Sequence, residues 1–217
     1  MNAFSGGLDW LATSAHWHGD DGFPHRIVQH LGYTALTVAI ASAIALPLGL
    51  WIGHTGRLRG LAIAVTGALR ALPTLGLLTL VVIWRGIGLT PPTVALVVLA
   101  IPPLLAGAYA GLESVDRATT DAARAIGMTE WQVLGRVEVP LALPLILGGV
   151  RAAVLQVIAT ATIAAYPGLG GLGRFIIDGL AVRDYPQMVA GSLVIVALAL
   201  ILDGLFAVTQ RALYRHQ

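Results

Sequence analysis

The chain has 217 residues, of which 57% are hydrophobic and only 11% charged, against roughly 25% charged in a soluble domain, so its long apolar runs belong in a membrane. A net charge of +2, with no dense basic tract, excludes nucleic acid as a partner. All 13 basic residues are arginine and there is no cysteine, which excludes disulfides, thiolate sites and the lysine of a P-loop; any ATP-driven activity needs a separate ATPase.

Residues 1–30 hold Asp9, Asp20, Asp21 and several histidines, with no basic region ahead of an apolar one. This is not the pattern of a cleavable signal. It predicts an external lead-in, with an interfacial helix anchored by Trp10 and Trp17. His16, His18, His25 and His30 raise the question of a metal, but their spacing alone is weak and no metal site is expected.

Residues 31–217 read as one transmembrane domain with five apolar candidates for spans of about 20 residues each. They lie near Leu31–Gly53, Gly60–Trp84, Pro92–Leu112, Pro144–Tyr166 and Gln187–Thr209. The second is interrupted by Arg70 and Pro73. Prolines inside the first two, Pro47 and Pro73, are tolerable because neighbouring helices satisfy the freed backbone. The fold class is all-α and polytopic.

Arginine bias sets the orientation. With the N-terminus outside, Arg57, Arg59, Arg117, Arg124, Arg136, Arg211 and Arg215 are cytoplasmic. Arg26, Arg85, Arg174 and Arg183 are external. The C-terminus is then cytoplasmic, and so is the polar segment 116–140 between spans three and four.

That segment contains "DAARAIGMTEWQVLGRVEVP", Asp121 to Pro140. Asp116 is placed to cap a short helix through Asp121, Ala122 and Ala123. Gly127 falls where a left-handed residue ends a helix. Thr129 and Gln132 have capping-box spacing for a second helix. Trp131 and Leu134 share its face. Pro140 and Pro144 restrict the backbone before and at the start of span four. The pattern is helix, glycine corner, helix, proline, span.

These residues resemble the EAA signature of bacterial ABC-importer permeases, E-A-A, three residues, G, nine residues, I-x-L-P. Here it reads Asp121-Ala122-Ala123, three residues, Gly127, nine residues, Val137-Glu138-Val139-Pro140. The resemblance implies a pair of coupling helices that dock on a separate ATPase subunit. Asp121, Ala122, Ala123, Gly127, Thr129, Trp131 and Pro140 would form the coupling element. Asp121 stands where that family has a longer glutamate.

Three further stretches resemble the osmoprotectant branch, the permeases for glycine betaine, carnitine and choline. They are "HLGYTALTVAIASAIALPLGLWIGH", "LRALPTLGLLTLVVIWRGIG" and "ATATIAAYPGLGGLGRFIIDGLAVRDYPQM". Methionine-type permeases share the glycine-rich loop. The implied fold is the methionine-permease-like type I fold, in a bacterial cytoplasmic (inner) membrane. The implied partners are an ATPase carrying ATP and Mg, an extracytoplasmic substrate-binding protein, a second permease chain and membrane lipid. This chain itself would hold no cofactor and would not be an enzyme. Quaternary ammonium groups are held in aromatic cages. Five Trp, five Tyr and four Phe without a local cluster fit a conduit better than a primary binding site.

Gly168, Gly170 and Gly173 form G-x-G-x-x-G, but after a span rather than a strand, so a dinucleotide site is not expected. Gly168, Gly170, Gly171 and Gly173, with Arg174 and Asp178, read instead as an external gate or binding-protein contact. "FIIDGLAV" within this loop predicts a surface helix. Arg151 and Asp203 are ionisable groups inside apolar spans and are expected to pair as a structural ion pair. Arg70, with Pro73 and Thr74, has two readings. It is a structural charge bonded to backbone freed by the proline, or it lines the translocation path and steers a substrate carboxylate.

No H-E-x-x-H or G-x-S-x-G is present, so no catalytic residues are assigned. The function expected is import of osmoprotectants by alternating access. The alternatives are import of an amino acid such as methionine, or ion-coupled secondary transport. A non-transporting scaffold is the remaining possibility.

Overall fold

The computed structural model of the chain describes residues 3–214; side chains are described up to residue 212. Arg215, counted above with the inner arginines, lies outside the described residues. The described residues hold ten α-helices with short 3₁₀ and π segments and no strand. The helices are α1 Ala3–Ala12, α2 Phe23–Thr55, α3 Arg59–Ala71, α4 Thr74–Arg85 and α5 Thr90–Glu113. They continue with α6 Arg117–Ala125, α7 Glu130–Val133, α8 Val139–Thr160, α9 Gly173–Val182 and α10 Tyr185–Tyr214.

Four continuous helical stretches are long and apolar enough to cross a bilayer: Phe23–Thr55, Thr90–Glu113, Glu130–Ala165 and Tyr185–Ala212. A fifth crossing exists only if α3 and α4 count as one, and that pair is bent by 83°. The stretch Gly60–Trp84, expected as one span interrupted by Arg70 and Pro73, forms two helices that break at Pro73. Pro73 has no N–H and disfavours helix at Leu72, which adopts extended backbone. Pro47, in contrast, stays inside α2. The helix expected in the external loop forms as α9.

A second difference concerns Pro140 and Pro144. Neither interrupts the chain between α7 and α8. Pro140 cannot donate to the carbonyl four residues earlier, and its ring crowds that carbonyl. The preceding turn, Leu134–Glu138, widens into a π-helix, and the Val139 N–H donates to the Leu134 carbonyl. Helix α7, the π turn, α8 and the 3₁₀ turn after it are one unbroken rod of 36 residues, Glu130–Ala165.

The described chain divides into two compact units. The first takes the chain up to Val38, Pro73–Val97 and Val154–Leu205. Its core gathers Phe23, Ile158, Leu172, Phe175, Ala190 and Ile195. Trp10 packs against this core, edge-on to Phe23 and to Phe175 with ring centroids 5.6 Å away in each case. Trp10 thus fastens α1 to protein rather than projecting from it as an anchor. His30 is fully buried here, and its Nε2 donates to the Ile158 carbonyl at 2.9 Å. That carbonyl lies where α8 gives way to a 3₁₀ turn, Ala161–Ala165, and helix ends leave carbonyls to be satisfied.

The second unit takes Ala39–Leu72, Val98–Ala153 and the chain from Phe206 onward. Small residues let its helices approach closely, as is usual where lipid supplies no hydrophobic drive. A Cβ on Gly49 would meet the Ala108 Cβ at 2.6 Å, and one on Gly53 would meet the Leu112 Cβ at 2.7 Å. Gly107 and Gly149 face each other, so a Cβ on Gly107 would fall 2.7 Å from the Gly149 Cα. Leu112, Ala142 and Ile146 form the core near the segment 116–140, with Leu46 and Leu50 of α2 against them.

Candidate functional site

The segment 116–140 folds as local chemistry dictates. Asp116 caps α6, its carboxylate accepting from the Ala118 N–H at 3.1 Å. Thr120 and Ala123 face inward and are buried, while Asp121 and Ala122 are exposed. The helix ends in a Schellman motif: the Gly127 N–H donates to the Arg124 carbonyl at 2.9 Å and the Met128 N–H to the Ala123 carbonyl at 3.2 Å. Gly127 supplies the positive φ of 89° that this turn requires. Thr129 then opens α7, and Gln132 Oε1 accepts from the Thr129 N–H at 2.8 Å in a capping box. Ile126 and Trp131, 81% and 83% exposed, stand out on either side of the corner.

A chain of polar contacts ties this corner to α2. Asp121 pairs with Arg124 at 3.2 Å, and the Arg124 guanidinium grips Glu130 with Nε at 2.9 Å and Nη2 at 3.1 Å. Glu130 Oε2 lies 3.2 Å from His54 Nε2, and Glu138 Oε2 lies 2.6 Å from His54 Nδ1. Arg124 is held above its ordinary pKa chiefly by the hydrogen bonds to Glu130. Two hollows flank His54, which lines both. One of about 570 Å³ is walled by Pro47, Leu50, Trp51, Trp131 and Leu134. The other, of about 500 Å³, takes in Arg59, Glu113, Arg117, Asp121 and Arg124.

Sequence reasoning placed Asp121, Gly127, Thr129 and Trp131 in this element but missed His54, Glu130 and Glu138. The available signal was Glu138 itself, a lone acid between Val137 and Val139 at the edge of an apolar run. Such a group needs a partner.

The remaining candidates lie elsewhere. Arg70 is exposed in the last turn of α3, and Pro73 and Thr74 open α4. Arg151 in α8 donates to Gln210 at 3.2 Å, and Asp203 lies in α10. On α9, Arg174 and Asp178 form an ion pair at 2.7 Å. The loop before it is latched to α2, since Gln29 Oε1 accepts from the Gly171 N–H at 2.8 Å and from Arg26 at 2.9 Å. Gly170 leaves room for that latch: a Cβ there would sit 1.9 Å from Gln29 Oε1. Gly168 and Gly171 take positive φ, and Gly173 packs on the Thr162 carbonyl. Among the described residues no three potential metal ligands converge. His16 and His18 each bond a backbone carbonyl at 2.8 Å, and His25 bonds Gln29.

Residues 45–215 match the family described as the binding-protein-dependent transport system inner membrane component. The chain belongs to this family. The permease is 39% identical over 185 residues to the osmoprotectant import permease protein OsmW of Salmonella typhimurium, covering 82% of this chain and 85% of that one. It is 33% identical over 207 residues to the carnitine transport permease protein OpuCD of Listeria monocytogenes, covering 95% and 91%. The glycine betaine/carnitine/choline permease protein OpuCB of Bacillus subtilis is 32% identical over 187 residues, 86% of each chain. In three dimensions the permease resembles a chain of the inward-facing MetNI methionine ABC transporter, with a TM-score of 0.77 at 21% identity, covering 95% of this chain and 97% of that one. The likeness bears out the all-α type I fold expected from the sequence.

Proposed function

We propose that this permease is the membrane subunit of an ATP-driven importer for small osmoprotectants: glycine betaine, carnitine, choline or proline-type solutes. The observation that carries this reading is the folded corner at Gly127, set between two capped helices in a chain of this family. Relatives at 32–39% identity are named for osmoprotectants, carnitine and choline, which favours those solutes over methionine. In this reading a separate ATPase binds ATP and Mg and receives Asp121, Ala122, Ala123, Gly127, Thr129, Trp131 and their neighbours. An extracytoplasmic binding protein delivers solute to the opposite side, near the loop Gly168–Gly173 and the Arg174–Asp178 pair. A second permease chain completes the path. The N-terminus is outside and the C-terminus cytoplasmic, which puts the corner on the ATPase side. Closure of the ATPase pair moves the corners, and the spans alternate between inward-open and outward-open states.

The test is reconstitution of the permease with its ATPase and binding protein in proteoliposomes. ATP hydrolysis is expected to rise with glycine betaine, carnitine or choline, and not with methionine. Stimulation by methionine alone would move the permease to the amino-acid importers. Uptake without the ATPase, driven by an ion gradient, would overturn the reading altogether.

Arg70 is proposed to line the path. It is exposed one turn before the break at Pro73, and a broken backbone and a guanidinium are both poorly suited to hydrocarbon. Arg70→Gln is expected to reduce uptake of glycine betaine, which carries a carboxylate, by about tenfold, the scale of one charge-assisted contact. Uptake of choline, which lacks the carboxylate, should change far less. Equal losses for both solutes would leave Arg70 a structural charge.

A further inference from the structure

We propose that His54 is a positioning residue that carries displacement of the coupling corner into α2. The proposal rests on the reading of this corner as an ATPase-docking element, and goes beyond it by naming the strut that makes docking mechanically useful.

His54 sits in the last turn of α2, far from the corner in sequence. Its side chain is only 14% exposed. It stands between two carboxylates, Glu138 at 2.6 Å and Glu130 at 3.2 Å, one on each ring nitrogen. Ionised carboxylates only accept, so the Nδ1 N–H donates to Glu138, while Nε2 lies within ion-pair distance of Glu130. A rigid five-membered ring with one nitrogen facing each carboxylate sets the separation of its two partners.

The two partners belong to different parts of the rod. Glu130 opens α7, directly after the corner, and is gripped by Arg124 of α6. Glu138 closes the π-helical turn and its side chain is 7% exposed. His54 therefore ties α2 to both ends of the short stretch that joins corner to span. The path of contact runs Asp121, Arg124, Glu130, His54, Glu138. It runs beside the π turn, whose last residue is Glu138. Without His54, a push on α6 would be absorbed by that turn, and the buried Glu138 carboxylate would lack its partner. Glu138 also falls at the unspecified position of the I-x-L-P element, so the EAA resemblance assigns it no role.

The experiment uses the full complex of permease, ATPase and binding protein in proteoliposomes, with glycine betaine, carnitine and choline each tried as solute. Solute imported per ATP hydrolysed is measured beside complex assembly and basal hydrolysis. His54→Ala is expected to assemble and hydrolyse ATP at the basal rate. Its solute-stimulated uptake per ATP should fall about tenfold, the size of an ordinary coupling term. His54→Gln, which still donates to one carboxylate, should recover part of that loss. Adding Glu138→Gln to His54→Ala should cost no more than about twofold further, because both break the same contact. Uptake per ATP within about twofold of wild type in His54→Ala would overturn the strut. Where His54→Ala fails to accumulate, His54→Gln and Glu138→Gln decide: an unchanged ratio in both overturns it, and a lowered ratio in both supports it. A wild-type permease that does not assemble with the ATPase would instead overturn the docking reading.

Discussion

Gly149→Val is expected to cost the permease about 3 kcal/mol or more, the upper range for overpacking a tight interior. A Cβ at Gly149 would meet the Pro103 carbonyl oxygen at 2.7 Å and the Gly107 Cα at 2.9 Å. Both are backbone atoms, so no side chain can swing aside. The helices α5 and α8 would have to separate, and every contact along the Gly107–Gly149 seam would loosen with them. In purified, detergent-solubilised protein the midpoint of thermal unfolding should fall by about 6–12 °C, on the scale of 2–4 °C per kcal/mol for a chain of this size. Gly148 provides the control. It is adjacent on the same helix, and a Cβ there would meet nothing within 4 Å. Gly148→Ala should leave the midpoint unchanged or raise it slightly, since alanine is the better helix former. Similar midpoints for the two variants would show that close approach at Gly149 does not hold these helices together.

Gly127→Val is expected to leave the spans intact and to disable coupling. The residue has φ of 89°, and nothing lies within 4 Å of the position a Cβ would take. Space is thus not the obstacle. The backbone is, because a β-branched residue in this region is strained by roughly 1–2 kcal/mol. That strain shifts the population of the correct corner by about 5- to 30-fold. Solute-stimulated ATP hydrolysis should fall by a similar factor in the reconstituted complex, while yield and thermal midpoint of the isolated permease stay near wild type. Gly127→Asn, which tolerates the left-handed region better, should fall between. Full stimulation in the valine variant would mean that the ATPase does not read this corner.

The two variants separate what was legible in the sequence from what was not. The corner was legible because its determinants are local. Asp116, Gly127 and the Thr129–Gln132 pair each act within four residues of themselves. The all-α character and the apolar stretches were legible from composition and run length. The break at Pro73 was harder, since Pro47 has the same chemistry and stays within a helix. What differs is the surroundings: at Pro47, Leu46 and Leu50 are packed against the core of Leu112, Ala142 and Ile146, which holds α2 continuous. The π turn before Pro140 was hidden for a related reason. A proline can end a helix or widen it, and packing on both sides decides. The His54–Glu138 contact spans 84 residues, and only the tertiary fold brings the two together. Trp10 shows the limit from the other side. An aromatic near the start of a membrane chain suits lipid headgroups and a protein core equally well, until Phe23 and Phe175 are seen around it.

The bend between α3 and α4 also constrains how the chain is made. The two helices have 13 and 12 residues. At about 1.5 Å per residue, each is roughly 18–20 Å long, well short of a hydrocarbon core of about 30 Å. Neither half qualifies by itself for release from the insertion machinery into lipid, and Arg70 at the junction adds to the cost. The pair is therefore expected to need later helices to shelter the break. Integration of this region is expected to lag behind that of α2, which is long and apolar enough to span by itself; in a chain stalled soon after Arg85, α2 should resist extraction while the α3–α4 stretch stays open to added protease.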